Sequence, residues 1–285
     1  MKTNTLLLAA ASCTLLLASC GDSTHTETTE TKTDSVSVSS TPPPAVALGK
    51  VTASPEYKDA SLTIGNVKAE KVGADSAKVS FDFVVKNYEL KMQTADNGTK
   101  QCNNSAQGQH IHFIMDNAPY KALYEPKNEV TLANNTEHYL MVFLSRSYHE
   151  SVKSKGAAKV YHFKIDEKGN LKKMDEPKTP MVFYSRPKGD YLGNDTTNVL
   201  LDYYVWNCDL AADGYKIKAD ISNESKPSQT LSVTLDKWEP NFIQNLGTGK
   251  SKVTLALVDK DGKQVEGPQT NVSREFNMAA QEPMK

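Results

Sequence analysis

"HIHFIMD", His110 to Asp116, is the stretch on which both fold and function turn. Read as a strand, it sends Ile111, Phe113 and Met115 to one face and His110, His112, Ile114 and Asp116 to the other. The first face is core. The histidine face is expected to point outward or to line a groove. Runs of the same kind lie on both sides: "SLTIGNVKAE", "AKVSFDFVVKNYEL", "YKALYE", "NEVTLA", "EHYLMVFLSR" and "AKVYHFKI", rich in valine, phenylalanine and tyrosine and separated by asparagine, glycine or lysine turns. Short strands at this spacing predict a β-sandwich.

After a charged stretch closed by two prolines, "DEKGNLKKMDEPKTP" (Asp166 to Pro180), the pattern resumes with "MVFYSRP", "NVLLDYYVWN", "YKIKADI", "TLSVTLDKW", "SKVTLALVDKDGKQV" and "SREFNM". The expected architecture is all-β: two tandem immunoglobulin-like sandwiches, over 47–172 and 173–285. A faint echo between "HFIMDN…EVTLANNTEHYLMVFLS" and "KADISN…LSVTLDKWEPNF…GKSKVTLALVDKDG" suggests duplication of one unit. "VDKDGK" superficially resembles a calcium loop, but it lacks the later bidentate glutamate and reads as an Asp-Gly turn.

The N-terminus is a different kind of sequence. Residues 1–19, "MKTNTLLLAAASCTLLLAS", have the basic start and short apolar run of a secretory signal. "LASC" resembles the bacterial lipobox, which makes Cys20 the acylated first residue of the mature chain and the lipid bilayer its first partner. Residues 20–46 are rich in serine, threonine and proline, with no aromatic side chain, and read as a disordered tether. The location implied is the outer membrane or cell envelope. Charge is balanced, 33 basic residues against 34 acidic, without the basic stripe that phosphate binding needs, so no nucleic-acid partner is expected.

Two cysteines remain beyond Cys20 in an oxidising compartment, and Cys102 and Cys208 are expected to pair; the alternative makes Cys102 a metal ligand beside His110. His110 and His112, about 6.5 to 7 Å apart along one strand face, chelate an ion if a third ligand arrives from His149, Glu150 or His138. Imidazole suits zinc, copper or nickel. The competing reading is of strand histidines hydrogen-bonded to neighbours, and no metalloenzyme spacing such as HExxH occurs. "FLSRS" and "FYSRP" place Arg146 and Arg186 after aromatic strands, so Arg146, Tyr148, Glu150 and Arg186 are candidate ligand contacts. No GxSxG turn or glycine-rich phosphate loop is present, and no nucleophile, base and orienting group assemble into an enzyme.

The lipobox, the threonine-rich tether, "GQHIHFIMDNAPYKALY", "FLSRSYHESVK" and "FYSRPKGDYLG…LLDYYVWN" together resemble a Bacteroidota lipoprotein family with a GQHIHFIxDN motif and immunoglobulin-like units. The resemblance implies location and build rather than activity. The His-x-His pattern is also similar to small cupredoxin-like envelope domains, which implies copper. Two functions follow. The leading one is a non-enzymatic binding or interaction module that requires no cofactor and presents loops to an envelope protein or glycan. The alternative is a periplasmic copper or zinc binding protein built on His110 and His112. They differ in whether the side-chain nitrogens converge on one point.

Overall fold

The computed structural model describes residues 43–280. The signal segment, Cys20 and the tether up to residue 42 lie outside the described residues.

Seventeen strands are present among the described residues, with two short 3-10 turns and no α-helix: β1 (Ala47–Lys50), β2 (Ser61–Val72), β3 (Ser76–Lys86), β4 (His110–Met115), β5 (Lys121–Leu123), β6 (Lys127–Ala133), β7 (Thr136–Ser145), β8 (Ala158–Ile165), β9 (Leu171–Lys173), β10 (Met181–Arg186), β11 (Gly189–Leu192), β12 (Val199–Trp206), β13 (Lys216–Asn223), β14 (Leu231–Leu235), β15 (Asn241–Gln244), β16 (Gly249–Val258) and β17 (Asn271–Ala279). In the first sandwich, the sheet β2-β3-β6 packs on β5-β4-β7-β8-β9; in the second, β1-β15-β12-β10 packs on β11-β17-β16-β13-β14.

Both sandwiches use one plan. The first, second and fifth strands of each unit form one sheet, and the fourth, third, sixth and seventh form the other, in that order. This is the immunoglobulin-like arrangement. In the second unit the first strand is divided into β10 and β11, and β11 crosses to pair in parallel with β17. The sequence echo is half right: β4 and β13 are both third strands, and β7 and β16 both sixth. The two "VTL" strands are not equivalent, because β6 pairs with β3 whereas β14 pairs with β13.

β1 departs from the expected boundary. It pairs antiparallel with β15, Leu48 opposite Ile243, and so belongs to the second sandwich. Val46 is buried in that core, and Lys226 and Asn245 donate to the carbonyls of Pro44 and Ala45. The chain then crosses to the first sandwich, held on the way by Lys100, whose ammonium donates to the carbonyls of Thr52 and Ala53, and by Arg146, which donates to that of Pro55.

The two sandwiches share a third core. Ile114, Met141, Phe143, Ala158 and Val160, on the outer face of the β4-β7-β8 sheet, meet Met181, Phe183 and Tyr204 from β10 and β12. The face of β4 that carries the histidines therefore points neither to solvent nor to an open groove. It lies in the seam between sandwiches, and His110, His112 and Ile114 are each 0% exposed. The run Leu140–Leu144 is buried on both sides for the same reason: alternate residues serve the first core and the seam.

The expected disulfide is absent. Cys102 and Cys208 are both free. Cys102 sits among Glu150, Arg186, Lys100 and Asp195, while Cys208 packs against the second core beside Asp209 and Met181. The strand order puts the thiols in different neighbourhoods, and burial pushes Cys102 up to about 12 and Cys208 up to about 11. At those values little thiolate forms near neutral pH.

Candidate metal centre

β4 places the first two ligands. His110 and His112 are separated by one residue, so both side chains leave the same face, and their rings lie 4.9 Å apart at an interplanar angle of 28°. His110 Nε2 is 3.0 Å from His112 Nε2. The third ring comes from the loop after β7. There the Arg146 N–H donates to the Glu150 carbonyl and the His149 N–H to the Arg146 carbonyl, both at 2.9 Å, which closes a tight turn. His149 holds φ at +69°, an uncommon left-handed conformation for a side-chain-bearing residue. That conformation delivers His149 Nδ1 to within 3.2 Å of His110 Nε2. One nitrogen from each of the three rings lies within 4.8 Å of the other two, and all three residues are buried.

Two of the three separations, 3.0 and 3.2 Å, match a first coordination shell. Metal–nitrogen bonds of about 2.0 to 2.1 Å at tetrahedral angles separate the nitrogens by about 3.3 Å. One outer contact fixes where the His110 lone pair points. A carbonyl oxygen can only accept, so the 2.8 Å contact between His110 Nδ1 and the Gly108 carbonyl puts the proton on Nδ1 and leaves Nε2 as a donor to a metal. His112 Nδ1 is 3.1 Å from Ser185 Oγ, and the Tyr120 hydroxyl is 3.1 Å from His149 Nδ1. Ser185 reaches the site through a bulge in β10: Tyr184 pairs with Tyr203 and Arg186 with Asp202, leaving Ser185 as the extra residue.

Gly108 has two reasons to be glycine. Its φ is +81°, and a Cβ there would stand 2.5 Å from the Lys91 carbonyl oxygen. Gly108→Ala is expected to displace the carbonyl that orients His110. Loss of an outer-shell contact of this kind lowers metal affinity about 10- to 100-fold, which a competition titration against a chromophoric chelator will read; unchanged affinity would show that the carbonyl does not set the ring.

All three imidazoles are held neutral. Burial lowers His110 to about 4, against a partly opposing hydrogen bond to Gly108, with Arg186 and Lys188 lowering it further. Burial likewise drives His112 and His149 well below the ordinary value, reinforced by the neighbouring rings and by the same two cations. The unfolded chain takes up a proton near pH 6.5 that folded His110 refuses until about pH 4. Stability is therefore lost as the pH falls through that window, by about 3 kcal/mol from His110 alone. In a chelator, the metal-free protein is expected to show a urea midpoint falling steeply from pH 6.5 to 4; a flat midpoint would contradict buried neutral rings.

The other candidates lie elsewhere. Asp116 leaves the strand at φ +51° and accepts from His138 Nδ1 and from the Tyr139 N–H, so neither Asp116 nor His138 belongs to the cluster. Glu150 pairs with Arg146 at 3.1 Å and accepts from Ser54, away from the nitrogens. Arg146 binds the carbonyls of Ser151 and Pro55, which makes it a tie for its own loop. Tyr148 is 1% exposed beneath the Lys100 ammonium. Cys102 is not in the ligand group. Arg186 does approach the centre: it donates to the Tyr191 hydroxyl and lies 5.4 Å from the Tyr120 ring.

Sequence reasoning missed Tyr120, Ser185 and Gly108. Gly108 stands within the quoted motif, whereas Ser185 is 73 residues from its partner and carries no local signal.

No protein-family model matches the chain, and no curated protein does. Among solved structures, the Clostridium thermocellum CbhA fibronectin(III)-like modules are similar over 77% of this chain and 95% of that chain, at 12% identity and a TM-score of 0.25. Dimeric latent PorU from Porphyromonas gingivalis is similar over 77% of this chain and 20% of its own, at 8% identity and a TM-score of 0.21. At these scores neither likeness carries an argument about function. Strand order and seam define the class: a pair of immunoglobulin-like sandwiches with three histidines between them.

Proposed function

We propose that the protein is a non-enzymatic envelope lipoprotein that binds one copper or zinc ion through His110, His112 and His149. The observation that carries the reading is the convergence of three ring nitrogens, two pairs of them at 3.0 and 3.2 Å, with the His110 lone pair aimed inward by the Gly108 carbonyl. The lipobox at Cys20 and the tether support attachment to a membrane.

A catalytic reading finds less support. Ser151 Oγ donates to Asp202 at 2.8 Å and accepts from the Lys153 ammonium at 2.6 Å, while Lys153 is itself paired with Asp202 at 2.9 Å. Ser151 and Lys153 both donate to the one buried carboxylate, so the trio ties β12 to the loop after β7.

Equilibrium dialysis of the full chain against copper(II) and zinc(II) tests the proposal, beside the His110→Ala/His112→Ala double variant. One equivalent retained by the wild type and none by the variant is expected. Equal binding by both, or none by either, would overturn it and return the histidines to a hydrogen-bonded packing role, with function sought in the loops.

A further inference from the structure

Most cations drawn into this fold face a carboxylate. Buried Lys100 pairs with Asp96 at 3.1 Å, buried Arg146 with Glu150 at 3.1 Å and half-buried Lys153 with Asp202 at 2.9 Å. One cluster at the seam departs from that rule. Arg186, Lys188 and Arg274 form no ion pair among the described residues, and the titratable groups that bear most on them are tyrosines and one another. Arg186 is 7% exposed and Arg274 8%, and charges so deeply placed are costly unless an opposite charge meets them. We infer that these three cations form a binding site for a doubly charged oxyanion, either a phosphate group or inorganic phosphate. The inference goes beyond the metal reading and requires no metal.

Strand pairing gathers the cluster. β11 runs parallel to β17 with Gly189 opposite Phe276, so Lys188 and Arg274 come from the same end of neighbouring strands. Both reach the turn after β4: Lys188 donates to the Tyr120 carbonyl at 3.0 Å and Arg274 to the Asn117 carbonyl. Arg186 arrives from β10, its guanidinium 5.4 Å from the centre of the Tyr120 ring, over which the Lys188 ammonium stands at 4.0 Å. His112 stacks on the Tyr120 ring at 3.6 Å, so the ammonium occupies the other face and the ring stands between it and the histidine. Donors are left over. Arg186 Nε and Arg274 Nη1 have no acceptor, and the hydroxyl of Tyr184, whose ring lies 5.1 Å from the Arg274 guanidinium, has no partner either. The acidic residues closest along the chain are turned away: Asp190 accepts from Asn277, and Glu275 alternates to the exposed face of β17. Burial and the two guanidinium groups together push the Lys188 ammonium down to about 8.

A phosphate group fits this chemistry. It carries close to two negative charges near neutral pH and several acceptor oxygens, while the guanidinium forks and the ammonium supply charge-assisted donors. Lys188 is only partly buried and is followed by exposed Gly189, which puts the approach on the Lys188 side. No covalent bond forms or breaks on binding.

The test uses the full-length chain in detergent micelles with a chelator present, titrated calorimetrically with inorganic phosphate at low ionic strength. One equivalent is expected to bind saturably in the wild type, a measurement that needs no variant. Lys188→Gln is expected to weaken binding about 10- to 100-fold, the cost of one charge-assisted contact. Acetate, with a single charge, is expected to bind at least about tenfold more weakly than phosphate. Urea midpoints give a readout that a merely structural lysine would not produce: Lys188→Gln is expected to match or exceed the wild type without phosphate and to fall below it with phosphate. Glycerol phosphate run in parallel separates the two sources, since tighter binding of the ester marks a phosphate group carried on a larger molecule and tighter binding of inorganic phosphate marks the free ion. No saturable phosphate binding, an affinity that Lys188→Gln leaves unchanged, acetate binding as tight as phosphate, or an equal stability loss in both buffers would overturn the inference. None of these results touches metal binding by the three histidines, which is measured separately.

Discussion

His112→Ala is expected to weaken copper(II) or zinc binding by at least about a thousandfold, beyond the 10- to 100-fold that loss of an outer-shell contact costs. His112 provides one of three converging nitrogens, and its ring is the platform on which Tyr120 stacks. Removing it deletes a metal–nitrogen bond and frees a neighbouring ring in one step. The fold should survive better than the site does, because the histidine face contributes to the seam while the apolar face of β4, Ile111 and Phe113, holds the first core. Titration with a competing chelator reads the affinity, and circular dichroism confirms that the sheets persist. An affinity within tenfold of wild type would mean that the ion, if bound, sits elsewhere.

Phe143→Ala carries the second large effect, on stability. Phe143 is 0% exposed in the seam, stacks on Tyr204 with ring centres 5.1 Å apart, and lies 4.9 Å from the His112 ring. Truncating a fully buried phenylalanine costs about 3 to 5 kcal/mol, part from lost transfer free energy and part from the cavity left behind. In a chain of this size that lowers Tm by roughly 10 °C. Because the residue joins the two sandwiches, the account expects one cooperative transition in the wild type and either a shifted single transition or two separated ones in the variant. A change below about 1 kcal/mol, within the range of surface substitutions, would show that the sandwiches do not depend on the seam. Scanning calorimetry with a chelator present separates this effect from that of a bound metal.

Much of this was legible in the strand grammar. Alternation along "HIHFIMD" correctly assigns Ile111 and Phe113 to a core and both histidines to one face, since a strand has no other way to distribute them. Alternation cannot say what covers the second face. A signal was available in the runs "LMVFL" (Leu140 to Leu144) and "MVFY" (Met181 to Tyr184), which are apolar at consecutive positions and so mark strands buried on both sides. Read together, they point to a seam between sandwiches. Pairing across distance was not legible: Ser185 meets His112, and β1 joins β15 almost two hundred residues later, through contacts that depend on sheet order. The disulfide expectation failed for the same reason, because a cysteine count says nothing about which strands separate the thiols. Among the candidate third ligands, sequence could name His149, Glu150 and His138 but not choose between them. The left-handed turn at His149 makes the choice.

X-ray absorption at the zinc edge of the protein loaded with one equivalent tests the central claim most directly. The account predicts three imidazole nitrogens at about 2.0 to 2.1 Å, recognisable by the outer scattering of their rings and lost in the His110→Ala/His112→Ala variant. A shell made only of oxygen, or zinc that washes away on desalting, would contradict it.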